Sequence, residues 1–296
     1  MHALKRNREI DVVYFPEERS FDASKLSGKF DVILLPDHLG LAIPKEIIGI
    51  TKLDIPVISM TSDSHNVPKY DPIECHYKYK IDYYFSTLHE SYFYKFLPRY
   101  FKYQAIMFGV EPQFFQNLQP FGQRIKDKIL NSGAMGKQNL RSRIVTGILK
   151  PKRSGWYFYK LRTMCNELPY VQHFGMKGNK YENEDYPKHL SQYRAAIAAT
   201  TFYPSLKYLI IPAAGCLTFM EITQLNKGEF LGFQDNRSAI FINEKNYKSK
   251  FEEFINDPEN SKWQEIANEG RNHSLANFTN DKGVEKLVAL MKSLIH

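Results

Sequence analysis

Ile55-Pro-Val-Ile-Ser-Met-Thr-Ser-Asp-Ser-His65 is the stretch that decides the fold. A short apolar run gives way abruptly to small polar residues. Such a run, bounded by turn formers, reads as a strand buried on both faces, the kind found in parallel sheets. Four more runs of the same kind flank it: residues 10–15, 30–35, 81–86 and 103–108. The run at 30–35 ends at Pro36, Asp37 and His38, much as the decisive one ends at Asp63, Ser64 and His65. The segments between the runs are long enough for crossover connections, which parallel strands require. Residues 45–50 and 90–99 carry the clearest helical pattern in this half.

Residues 112–141 break the rhythm with Gln, Asn, Gly and Lys, and read as a connection holding one helix at 122–131. A second series then begins. Strands are predicted at 144–147, 171–174, 195–200, 217–220 and 239–242. Helices are predicted at 155–167, 186–193, 206–214, 248–256, 263–277 and 282–294. Gly215 stands where a left-handed residue would end the 206–214 helix. The reading is therefore α/β, with two Rossmann-like domains facing a cleft. Residues 1–125 form the first domain, 126–281 the second, and 282–296 a helix returning to the first. In open parallel sheets ligands bind at the carboxyl ends of the strands. That rule selects Asp37, His38, Asp63, His65, Gly109, Gly147, Lys150 and the segment containing Tyr203 and Ser205.

The composition suits this reading. Of 296 residues, 43% are hydrophobic and 24% charged, which argues against disorder. No apolar run approaches the roughly 20 residues that span a bilayer, and the basic start lacks the apolar core of a secretory signal. Cys75, Cys165 and Cys216 are too few and too scattered for a disulfide framework or a zinc site, and suit a reduced cytoplasm. The net charge of +8 points to an anionic partner: a phosphate group or an acidic membrane surface at which the protein sits peripherally. No signature of an RNA- or DNA-binding module is present, so nucleic acid is not expected as a partner.

Several segments resemble a known family. Ala105-Ile-Met-Phe-Gly-Val-Glu-Pro-Gln-Phe-Phe115 resembles the P-x-G-V-D-P-x-x-F segment that closes the first domain of GT-B glycosyltransferases. The Ile55–His65 stretch resembles the strand and acidic loop of their acceptor-side domain. Tyr186-Pro-Lys-His-Leu-Ser-Gln-Tyr-Arg-Ala-Ala-Ile-Ala198 is followed by Pro204-Ser-Leu-Lys-Tyr-Leu-Ile-Ile-Pro-Ala-Ala-Gly-Cys-Leu217. Together these are similar to the donor-side signature of the spore-maturation (CgeB-like) glycosyltransferases. Phe254-Ile-Asn-Asp-Pro258 and Ile266-Ala-Asn-Glu-Gly270 resemble that family's last helices. The likeness runs in order over residues 30–290. It implies the GT-B architecture and transfer of a sugar from a nucleotide-activated donor, held as substrate with no other cofactor. The acceptor would be a glycan, lipid or protein. The sequence departs from the pattern at Ile210, where the family has a Glu expected to bind the ribose hydroxyls; isoleucine cannot accept those bonds. Glu221 is the candidate replacement. The family also opens with one βα unit more than this chain shows before residue 10. An inactive nucleotide-sugar-binding or regulatory protein, or an epimerase-type relative, are the alternatives.

A diphosphate leaving group needs its developing charge stabilised by cations or a helix N-terminus. Without a metal, Lys150, Lys152, Arg153 and Lys207 are the cationic candidates. Ser205 is expected to cap the helix that Lys207 opens, with Tyr203 and Gly215 flanking it. Asp63 and His65, or Asp37 and His38, are the candidates for orienting or deprotonating an acceptor hydroxyl.

Overall fold

A computed structural model describes residues 2–15, 19–37, 43–61, 71–136, 141, 144, 145, 148, 155–175 and 185–295. Its contacts divide the chain into two units, Met1–Phe108 with Asn280–His296, and Gly109–Thr279.

In the first unit a two-stranded parallel sheet, β1 (Ser20–Asp22) and β3 (Glu46–Ile48), accompanies a four-stranded one. The larger sheet comprises β2 (Ile33–Leu35), β4 (Val57–Met60), β5 (Tyr83–Ser86) and β6 (Tyr103–Ala105), in the order β2-β4-β5-β6 and all parallel. Val57 and Ile58 are both fully buried although they point to opposite faces, as a strand covered on both sides requires. One face packs against a core that includes Leu53, Tyr84, Phe93 and Phe101. The other is covered by the Asn280–Lys292 helix, which sets Leu287, Leu290 and Met291 against Ile58, Phe85 and Ile106.

The second unit holds β7 (Ile125–Ser132), β8 (Val171–Phe174), β9 (Tyr193–Ala198), β10 (Leu217–Glu221) and β11 (Ile240–Ile242). All are parallel, in the order β11-β10-β9-β7-β8. The chain builds outward from β7 in one direction, then reverses and lays β9 on its other side. That reversal is a topological switch point, where crossovers on either side leave a crevice at the strands' carboxyl ends. Phe219, Phe251, Phe254 and Trp263 fill the core between this sheet and the helices Tyr247–Asn256 and Ser261–Asn277.

The structure revises several expectations. Residues 10–15 join no sheet among the described residues. Residues 45–50, expected to be helical, supply edge strand β3 and then a 3-10 turn, Ile50–Lys52. The helix at 90–99 is a single turn, Glu90–Phe93, with Pro98 preventing its continuation. The helix expected at 122–131 is strand β7, interior to the sheet between β9 and β8. Lys126, Asp127 and Lys128 lie in its exposed first half and mimic a polar helix, while Ile129–Ser132 is wholly buried between two neighbours. Of the strand expected at 144–147 the described residues, Ile144 and Val145, are helical and exposed, as are Arg141 and Ile148 beside them. The domain boundary falls at Phe108–Gly109 rather than after residue 125. Val110 bridges Thr279, and Arg271 donates to the Phe115 carbonyl at 2.8 Å, so this segment belongs to the second unit.

Gly215 follows the Lys207–Ala213 helix at φ +71°, the left-handed residue that the sequence called for. A Cβ there would sit 3.3 Å from Arg124 Nη2, whose neighbouring Nη1 donates to the Gly215 carbonyl at 2.7 Å. Gly215→Ala should therefore cost about 1–2 kcal/mol, readable as a lower urea midpoint at unchanged slope. An unchanged midpoint would show that the turn relaxes freely.

Candidate functional site

The carboxyl ends of β7 and β9, at the switch point, carry a buried cluster of polar side chains. β7 ends at Ser132, and the chain turns at Gly133 with φ +92°. The missing side chain matters: a Cβ on Gly133 would lie 2.2 Å from Lys207 Nζ. Lys207 is the first residue of the helix after β9, so the same turn that leaves the sheet aims its amine back at β7. Nζ donates to the Ser132 carbonyl and, at 3.1 Å, to Ser132 Oγ. Ser132 Oγ also lies 2.7 Å from the Tyr186 hydroxyl. His173, near the end of β8, donates from Nε2 to the Gly133 carbonyl at 3.0 Å. Burial holds the Lys207 amine well below its ordinary pKa, and the nearby Arg162 charge pushes the same way.

Arg162 comes from the Lys160–Cys165 helix and is 2% exposed. Its Nη1 donates to the Ala134 carbonyl at 3.1 Å, and its guanidinium lies 4.7 Å from the centre of the Tyr159 ring. Nε and Nη2 have no hydrogen-bond partner among the described residues. Nor does either Lys207 or Arg162 form an ion pair among them. A buried guanidinium beside a buried lysine, with no carboxylate ion-paired to either among the described residues, makes positive charge costly there, and an anion that supplies both charge and acceptors would offset that cost.

At the end of β10, within reach of the Arg162 charge, stands Glu221, 5% exposed, with Oε2 unpartnered among the described residues. Burial pushes its pKa up to about 7, against the pull of Arg162. The backbone here is fixed by two buried side chains. Tyr208 Oη accepts from the Thr200 amide and donates to the Glu221 carbonyl, both at 3.0 Å. Asn226 Nδ2 donates to the Thr200 carbonyl at 3.0 Å and to the Glu221 carbonyl at 2.8 Å. Its Oδ1 accepts from the amides of Thr223 and Gly228.

Of the residues selected from sequence, Lys207, Tyr203, Ser205 and Glu221 come to this edge of the sheet. Ser205 does not cap the helix. The capping position is Leu206, in helical conformation, and Ser205 Oγ is buried without a partner among the described residues. Gly215 lies at the opposite, amino edge, one helix length from Lys207 and two residues before β10. Asp37 is 3% exposed just beyond β2 in the first unit. Asp63, His65, His38, Gly147, Lys150, Lys152 and Arg153 lie outside the described residues. Sequence reading missed Ser132, Gly133, Arg162 and Tyr186 as site residues. The signal for the first two was Ser132-Gly-Ala-Met-Gly136, a glycine turn of the kind that follows a strand, hidden once 122–131 was read as a helix. Among the described residues no cluster of three or more His, Cys, Asp or Glu is placed to hold a metal, and no helix is long and apolar enough to cross a membrane.

No family model and no curated protein matches the chain. Solved structures do. Sucrose-phosphate synthase from Thermosynechococcus elongatus aligns with a TM-score of 0.56 at 12% identity, covering 92% of this chain and 75% of that one. Anabaena HepE, solved with UDP and glucose, aligns with a TM-score of 0.53 at 7% identity, covering 81% and 72%. At such identities the likeness shows the fold. The chain has the GT-B architecture of two Rossmann-like domains built on parallel sheets.

Proposed function

We propose that the protein is a glycosyltransferase that takes a nucleotide-activated sugar and holds its diphosphate on Arg162 and Lys207. The observation carrying this reading is the buried Arg162 and Lys207 at the switch point, with guanidinium donors that no described residue accepts. An Arg presents donors in a planar fork suited to phosphate oxygens, and a low-polarity setting strengthens each such bond. Stabilising the departing diphosphate with fixed cations is the main catalytic task of such a site, and it requires no metal. Glu221, whose neutral or charged carboxyl can face a sugar or ribose hydroxyl, stands in for the acceptor group that Ile210 lacks. The first unit is assigned to the acceptor, a glycan, lipid or protein, at a membrane surface in the last two cases or in solution. The fold and the UDP and glucose bound to HepE support the choice of donor class. Kinship with the spore-maturation glycosyltransferases rests on the sequence segments quoted above.

The test is calorimetry with UDP and with uridine. Lys207→Ala should weaken UDP binding by roughly 1–3 kcal/mol, the scale of one charge-assisted hydrogen bond, and leave uridine unchanged. Equal UDP affinity in both proteins would remove Lys207 from the site. Ile210 favours a second reading, a binding protein without turnover. A UDP-sugar that binds but is neither transferred nor hydrolysed would support it.

A further inference from the structure

Among the described residues Lys207 Nζ has two acceptors, the carbonyl and the hydroxyl oxygen of Ser132. An ammonium carries three N–H donors and an amine two. Two acceptors therefore satisfy the amine fully and leave an ammonium with one buried donor unmet. The charged groups around it among the described residues give no reason for the third proton to stay. Arg162, on the Lys160–Cys165 helix, is a second cation and repels it. Tyr186, on the Asp185–Leu190 helix, reaches it only through Ser132 Oγ. His173, beside the end of β8, is engaged with the Gly133 carbonyl. Tyr208, next on its own helix, turns its hydroxyl to Thr200 and Glu221. Glu221, at the end of β10, exerts its charge on Arg162. Arg271, on the Ser261–Asn277 helix, lies at the far end, beside Gly215.

We propose that diphosphate binding at this site is proton-linked: the ligand arrives together with one proton, delivered to Lys207 Nζ. The inference rests on the donor-site reading above and adds its regulation. A phosphate oxygen supplies the missing third acceptor and the counter-charge, so the bound state favours the ammonium that the free site disfavours. The strong lowering of the Lys207 pKa by burial agrees with this direction. By linkage, affinity falls as pH rises above the free-site pKa of Lys207, about tenfold per pH unit until the bound-state pKa is reached.

The experiment is calorimetric titration of the full chain with UDP at about pH 8.5, in buffers of different ionisation enthalpy. At that pH the UDP phosphates are ionised and release no proton on binding, and any proton that the charged Glu221 takes up appears equally in Lys207→Arg, which keeps that carboxylate. The expected result is uptake of about one proton per UDP by the wild type and none by Lys207→Arg, whose guanidinium is permanently charged. UDP binding without uptake, or equal uptake in both proteins, would overturn the proposal and leave the donor site standing. A variant that fails to fold is bypassed by lysine side-chain NMR of the wild type, using Lys207→Met to identify the signal. The Lys207 resonance should read as an amine in the free protein and as an ammonium with inorganic pyrophosphate. An ammonium in the free protein overturns the proposal. Absence of binding by both UDP and pyrophosphate overturns the donor-site reading and this inference together.

Discussion

Arg162→Met should abolish most of the affinity for UDP while leaving the fold as stable as before, or more so. The two effects have opposite signs because one buried charge causes both. In the free protein the guanidinium sits 2% exposed with one hydrogen bond to a carbonyl and two nitrogens unpartnered among the described residues. Replacing such a charge with an apolar side chain of similar volume is commonly neutral or stabilising. With the diphosphate in place the same charge makes its missing bonds. Their loss should weaken UDP by roughly 2–4 kcal/mol, about 30- to 1,000-fold in Kd. Parallel calorimetry and thermal melts decide the matter. A variant that melts much earlier yet binds UDP like the wild type would make Arg162 a structural residue that secures the Ala134 turn.

Glu221→Gln should reverse the usual effect of removing a charge. The folded-state pKa is raised from 4.5 to about 7, chiefly by burial. The folded protein therefore holds this proton more tightly than the unfolded chain does. The stability that follows is fully present below about pH 4.5 and is lost as pH rises through about 7. Glutamine is a neutral isostere without that dependence. Urea unfolding at about pH 5 and about pH 8 should show a gap that opens toward high pH in the variant's favour, on the order of 3 kcal/mol. A gap that stays constant with pH would mean that the carboxyl is charged throughout, held by Arg162.

How far the sequence could be read depended on burial. Strands β4 and β5 are visible because most of each strand, Val57–Ser59 and Tyr84–Ser86, is buried, and continuous burial writes a continuous apolar run. β7 was invisible for the converse reason. Its first half projects past the core, so Lys126 can pair with Glu259, and its charges conceal the strand that follows. Lys207 was legible because it opens a helix after a turn, a position with known electrostatics. Arg162 was not: a lone arginine in a helix shows no spacing or motif. Its importance comes from what fails to surround it, and only three dimensions show that. Ser205 was read as a cap from residue type alone, whereas Leu206 took the capping position and left the hydroxyl buried.

The Asn280–Lys292 helix covers one face of the first unit's sheet, through Leu287, Leu290 and Met291 on Ile58, Phe85 and Ile106. During synthesis that sheet leaves the ribosome long before its cover does. The whole second unit must be translated while an apolar face of the first stands open to water or to a chaperone. The second unit, continuous in sequence, can close as soon as its own residues emerge, so the order of assembly is inverted relative to the order of translation. A released chain truncated after Thr279 should carry a protease-resistant second unit and a first unit that is still cut. The full chain should protect both.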